Sequence, residues 1–255
     1  MTMPIRIACL VVLVGLCGST AWAQPQRNQN RGRAMPPYKL GLEEMRSEQW
    51  EKAAADFQRA IDIDPTFEMA HYALGRSMMP QKKYTEAAAA LTKCRDLYTA
   101  QAGRQFSNQQ EAQQYRRERL TEIDEAIRQY QQGPQTGQAT EAIRQLTESR
   151  RLLQDNLLRG NNVSMEMSVP SYVSMALGSA FFRLGRLADA EREYKATIDA
   201  DPKTGEAHSN LAVVYLQTGR YDEAEKAVKA AEKTGFKVNP MLKDDIAAKK
   251  KPGTN

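Results

Sequence analysis

Side chains able to do covalent or metal chemistry are few in this chain. Its 255 residues hold two histidines, His71 and His208, and three cysteines, Cys9, Cys17 and Cys94. They do not cluster at metal-ligand spacing, and no glycine-rich loop is present to cradle a phosphate. Acidic pairs such as Glu43-Glu44 and Asp244-Asp245 read as solvated surface rather than as an acid and base set. No catalytic constellation emerges, so an enzyme is not expected, nor a metal or other cofactor. What the chain does supply is Met and Tyr at recurring positions. Met is flexible and polarizable, and Tyr adds a hydrogen-bonding tip to an apolar ring, so both suit the gripping of another protein.

The elements that position these residues follow from an internal repeat. When residue 34 is aligned with 68, and 171 with 205, Leu40-Gly41 falls on Leu74-Gly75, Leu177-Gly178 and Leu211-Ala212. Trp50 then matches Tyr84, Leu187 and Tyr221, while Ala53 matches Ala87, Ala190 and Ala224. Phe57, Leu91, Tyr194 and Val228 follow, then Ala60, Cys94, Thr197 and Ala231. Asp64-Pro65 and Asp201-Pro202 close two of the units. Small residues such as Gly41 and Ala53 let two antiparallel helices approach, and large ones such as Leu40 and Phe57 fill the space beside them. Gly185 and Gly219 fall in the turn between the helices, where a positive φ is cheap for glycine. Each hairpin leaves an apolar face that only a stacked neighbour can bury. His71 and His208 share one repeat position, which points to a structural role. Cys94 replaces an alanine on the packed side and reads as a small buried hydrophobe.

In period and in signature residues, 34–101 and 171–238 resemble the tetratricopeptide-repeat family, with Glu44, Met78, Thr99 and Phe236 departing from its pattern. The resemblance implies an all-α solenoid of helical hairpins, a protein-interaction scaffold, and a concave wall built from positions two, five, nine and twelve of each repeat. In the first repeat these are Met35, Tyr38, Leu42 and Met45, and in the second Met69, Tyr72, Arg76 and Met79. The third supplies Tyr172, Met175, Ser179 and Phe182, and the fourth Glu206, Ser209, Val213 and Leu216. The partner-binding set expected from this wall is Tyr38, Leu42, Met45, Met69, Tyr72, Arg76, Met79, Tyr172, Met175 and Phe182, an apolar strip for a peptide or protein segment, with ordinary interhelix core for part of it as the alternative. Family members that clamp a C-terminal carboxylate use Lys and Asn at positions five and nine. Tyr38, Leu42, Tyr72 and Arg76 stand there instead, so that specificity is not expected.

Between the repeat pairs, 102–170 loses the signature. Ser107 and Gln110 form a capping box, and Leu120, Ile123, Ile127 and Tyr130 make one apolar stripe on a helix of about 107–132. Gly133-Pro134 breaks it, and a second helix over about 139–158 carries Ala139, Ile143, Leu146, Leu153 and Leu157. This long antiparallel hairpin reads as a spacer continuing the solenoid, with a dimerisation or docking arm as the alternative.

The ends set the expected compartment. Arg6, the apolar run Ile7–Leu16 and Ala21-Trp22-Ala23 make residues 1–23 a secretory signal peptide with Gln24 as the mature end, and Leu16 before Cys17 argues against lipidation. Export to the periplasm, or to the medium, follows. Residues 24–36 are expected to be a disordered linker, and 239–255 a short capping helix with a disordered tail. The net charge of +5 comes from these two ends, with Arg27, Arg31 and Arg33 at one and a run of lysines at the other. The repeat body is not basic, which argues against nucleic acid as a partner. The competing reading is an envelope-associated structural protein held by its basic ends to anionic polymers or lipid head groups. Asn162-Val163-Ser164 is a glycosylation sequon only in a eukaryotic host.

Overall fold

Ala53, Ala87, Ala190 and Ala224 are each fully buried, as residues at tight helix crossings must be. A Cβ added to Gly41 would sit 2.7 Å from the Phe57 ring, one on Gly75 2.6 Å from Leu91, and one on Gly178 2.8 Å from Tyr194. These are the small-on-large pairs that the repeat alignment brings together. A computed structural model describes residues 20–101, 109–132, 137–159 and 169–250. Among them are eleven α-helices and no strand.

The first repeat pair comprises α1 (Thr20–Arg46) with α2 (Trp50–Ile63), then α3 (Glu68–Met78) with α4 (Tyr84–Gln101). The second comprises α7 (Ser171–Arg183) with α8 (Leu187–Ala200), then α9 (Gly205–Gln217) with α10 (Tyr221–Lys233). The insert forms α5 (Gln109–Gln132) and α6 (Gly137–Arg159), and α11 (Pro240–Lys250) caps the end through Leu242 and Ile246. The protein is therefore an all-α solenoid of helical hairpins with a longer central hairpin.

Turn chemistry repeats with the helices. Gly185 and Gly219 have φ of +71° and +75°, and the equivalent positions in the first two repeats are Glu48 and Lys82, also with positive φ. Asp64 Oδ1 accepts from the Thr66 backbone and hydroxyl, and Asp201 Oδ1 accepts from the Lys203 backbone, so each Asp-Pro closes its turn with its own carboxylate. The imidazole Nε2 of His71 lies 3.0 Å from the Pro65 carbonyl, and that of His208 lies 3.2 Å from the Pro202 carbonyl. Both histidines tie a helix start to the preceding turn.

Three expectations need correction. Residues 24–36 are not a disordered linker: α1 runs through them, and through Pro36-Pro37, which together remove two intrahelical donors. Tertiary contact outweighs that loss, since Ala34 and Tyr38 are buried and Arg31 is anchored by ion pairs. Leu40 does not fill a gap. It is 45% exposed, because the first repeat has no preceding repeat among the described residues to stack on it. The central hairpin is not a spacer within the stack either. The Tyr98 hydroxyl of α4 lies 3.0 Å from that of Tyr172 on α7, and Arg95 of α4 donates to Glu193 of α8 at 2.7 Å. The second repeat packs directly on the third, and the insert leaves and rejoins a continuous solenoid. The signal peptide, the Ser107 cap, the Gly133-Pro134 break and the sequon fall wholly or largely outside the described residues.

Because Ala190 is fully buried at the crossing of α7 and α8, Ala190→Leu should overpack it and cost about 1–3 kcal/mol. A thermal melt checks this, and an unchanged melting temperature would refute the assigned repeat register.

Candidate functional site

Over the first repeat pair the expected wall of first helices is not open. Tyr38, Met69, Tyr72, Tyr172 and Met175 are buried, and Leu42, Met45, Arg76, Met79 and Phe182 are half-buried. Part of that burial is interhelix core. Tyr38 sits against Phe67 and Phe57, with ring centroids 4.7 and 5.8 Å away, and Tyr72 meets Tyr172 edge-on at 4.9 Å. The rest comes from α5, which lies in the groove. The expected wet strip is therefore corrected: the chain covers its own wall.

The contacts of α5 are mostly polar. Arg119 donates to Glu68 at 3.3 Å, to Glu122 of its own helix at 2.5 Å, and to the Tyr98 hydroxyl. Glu122 in turn accepts from Arg31, whose guanidinium also reaches Asp64 at 2.6 Å, Glu68 at 3.1 Å and the Thr66 carbonyl at 3.0 Å. Gln101 joins Glu68 to Tyr115 of α5. Further along, Arg76 donates to the Tyr130 hydroxyl, with Lys39–Glu125 and Arg46–Gln132 as outer contacts at 3.7 and 3.4 Å. The paired residue numbers rise together on α1, α3 and α5, so α5 runs in the same direction as the helices it covers. On the other side, Arg144 of α6 donates to Asp201 at 2.7 Å and to Thr204 at 3.2 Å. Arg31 and Arg144 thus hold the aspartates of the two equivalent Asp-Pro turns.

The electrostatics follow from this enclosure. Burial opposes the charge of Arg31, but Glu122, Glu68 and Asp64 outweigh it and hold the guanidinium protonated above its ordinary range. Arg119 is shifted the same way, with burial opposed by Tyr98, Glu122 and Glu68. Burial pushes the phenols of Tyr38, Tyr72, Tyr98 and Tyr172 up, so they act as neutral hydrogen-bonding groups. Burial likewise pushes the Cys94 thiol up, which keeps it from reactive thiolate chemistry. Among the described residues no group of acids, histidines or cysteines is arranged to hold a metal ion, and no helix is long and apolar enough to cross a membrane.

Sequence reasoning missed the charged side of α5. Of its expected stripe only Ile123 is fully buried, with Leu120, Ile127 and Tyr130 half-buried, whereas Tyr115, Arg119, Glu122 and Ala126 are buried at four- and three-residue spacing. The signal was present as a second helical stripe, hidden by the polarity of two of its members. It also counted Arg31 among the charges of a loose basic end, when that residue is an interior ion. At the other end, Lys243 pairs with Glu232, and Lys250 with Asp222 and Glu225.

Family models for the tetratricopeptide repeat match residues 41–81, 69–99 and 175–235. Those stretches are similar to the tetratricopeptide repeat, and the matches stop on either side of the insert. Among solved structures, a double mutant of MamA RS-1 is 14% identical, with 84% of this chain and 79% of that one covered at a TM-score of 0.48. YrrB, described as a repeat protein with an unusual peptide-binding site, is 16% identical over 90% and 98% of the two chains, with a TM-score of 0.29. A thermophilic repeat protein from Thermus thermophilus, TTC0263, is 20% identical over 85% and 98%, with a TM-score of 0.32. At such identities function does not transfer. No curated protein matches the chain in sequence.

Tyr72→Ala removes a buried ring and should cost about 3–5 kcal/mol, whereas Lys52→Ala on the exposed side of α2 should melt like the parent. Equal melting temperatures for all three would contradict the burial. His71 gives a pH dependence. Burial holds its imidazole below the ordinary range, though the Pro65 carbonyl and nearby acids oppose the shift. Its contribution is therefore full above the ordinary imidazole range and lost as pH falls through the depressed folded value. A plot of melting temperature against pH should fall less steeply on the acid side in His71→Gln than in the parent. Parallel curves would remove His71 as the cause.

Proposed function

We propose that the chain is an exported, non-enzymatic scaffold that holds a peptide or protein segment in its concave groove. Tetratricopeptide repeats supply a scaffold for protein partners, and the expected leader at 1–23 supports export. The observation that carries the reading is that the wall already accommodates a helical segment, α5, through ion pairs and phenol contacts. Such a wall selects a ligand by charge and direction as well as by apolar area. Beyond α5, Phe182 on α7 and Val213 and Leu216 on α9 remain half-buried, as do Ser179 and Ser209. This is the part of the wall through which a partner first makes contact.

Immobilised mature chain should retain a defined protein from envelope extract, identified by mass spectrometry. Phe182→Ala and Leu216→Ala should each weaken that complex by about tenfold, or about 1.4 kcal/mol, while helicity is kept. Lys52→Ala should leave it unchanged. Variants at Phe182 and Leu216 that hold the partner as tightly as the parent would take the site away from the concave wall.

A further inference from the structure

We propose that α5 is a resident mimic of the partner, and that the partner's binding segment is itself an amphipathic helix which enters the groove by displacing α5. This rests on the concave groove being the binding site. Three observations carry it.

The first is that α5 is not needed to join the repeats. The contact between the second and third repeats is made by Tyr98 of α4 with Tyr172 of α7, by both hydroxyls with the Met69 sulfur of α3, and by Arg95 of α4 with Glu193 of α8. Lifting α5 leaves the repeat stack continuous and uncovers a cleft shaped to a helix.

The second is the charge exposed in that cleft. When α5 departs, Glu68 loses the Arg119 guanidinium and Arg31 loses the Glu122 carboxylate, both at depth. At the other end Arg76 loses the Tyr130 hydroxyl and keeps Tyr72, whose ring centroid is 5.9 Å away. One guanidinium, Arg31, then stands against the two carboxylates of Asp64 and Glu68, so the cleft favours an occupant that brings a cation to that end and an acceptor to the other. On α5 these are Arg119 and Tyr130, eleven residues or about 16 Å apart along a helix. Glu122 lies between them, three residues after the cation, to answer Arg31. The partner helix thus carries a guanidinium, an acid three residues later and a phenol or carboxylate eight residues after that. It runs in the direction of α3.

The third is that the fit of α5 is incomplete. Arg119 Nε is buried with no hydrogen-bond acceptor among the described residues. A resident that leaves a donor unmet can be outcompeted by a helix that satisfies it.

The test uses the full chain and a labelled peptide of residues 109–132 as the probe. Arg119→Ala in the chain weakens the docking of α5 and leaves α1, α3 and α7 untouched. That variant should bind the peptide at least about tenfold more tightly than the parent does, with 1:1 stoichiometry. A peptide carrying Arg119→Glu should not bind. A folded Arg119→Ala chain that binds the peptide no better than the parent overturns the proposal. Should that variant fail to fold, Tyr130→Phe, which deletes one hydroxyl, takes its place, and no gain in peptide binding there overturns it equally. Dimerisation of the weakened chain in light scattering would assign the groove to the hairpin of a second copy and overturn the partner-helix assignment. Weakening α5 should also raise capture of the native partner. Capture that stays sensitive to Phe182→Ala but indifferent to Arg119→Ala would leave the groove as the site and remove displacement alone.

Discussion

Two guanidiniums and three carboxylates share one enclosed space where α1, α3 and α5 meet. Arg31 and Arg119 are balanced there against Asp64, Glu68 and Glu122, and all but Arg31 are almost wholly removed from water. Taking such ions out of water is expensive, so each of the five is held against at least one opposite charge. The cluster explains why residues around Arg31 are helical despite three prolines in α1, because the anchor exists only if α1 extends back far enough to deliver it. It also explains why α5 lies where it does and in which direction. Reversing α5 would carry Arg119 away from Glu68 and toward Arg76.

The repeats supply a different kind of constraint. Phe57, Leu91 and Tyr194 lie against Gly41, Gly75 and Gly178 so closely that the glycines have no room for a side chain. This fixes the hairpin angle, and stacking of hairpins fixes the concave wall. The wall is therefore rigid and set by apolar packing, whereas its occupant is held mainly by polar contacts. That division allows the contents of the groove to be exchanged without disturbing the scaffold behind it. It also moves the functional question from the residues of the wall to the competition between α5 and an incoming segment.

The repeat architecture was legible because a helical hairpin that must stack repeats its small and large residues at a fixed period. Ala53 with its three counterparts, Gly41 with Phe57, the turn glycines Gly185 and Gly219, and the shared register of His71 and His208 all carry that period. The destination of the insert was not legible. Periodicity within α5 shows which residues share a face, but not what lies opposite, and the face turned to the wall includes Arg119 and Glu122, whose partners are distant in the chain. Arg31 was misread for the same reason: a basic residue in a Gln-, Asn- and Pro-rich stretch looks solvated until its buried acids are known. Tyr38, Met69 and Tyr72 were expected to be uncovered and are buried, since residue type does not reveal an occupant supplied by the same chain.

Native-state hydrogen exchange, resolved by helix, bears most directly on the claim that α5 is docked on an otherwise continuous solenoid. Amides of α5 and α6 should exchange through an opening that exposes little surface and leaves α3 and α7 protected. Arg119→Ala should speed exchange in α5 and α6 while leaving α9 and α10 unchanged. If α5 amides are as protected as those of α3 and lose protection only with global unfolding, the hairpin is an inseparable part of the core, and the account of an exchangeable occupant is wrong.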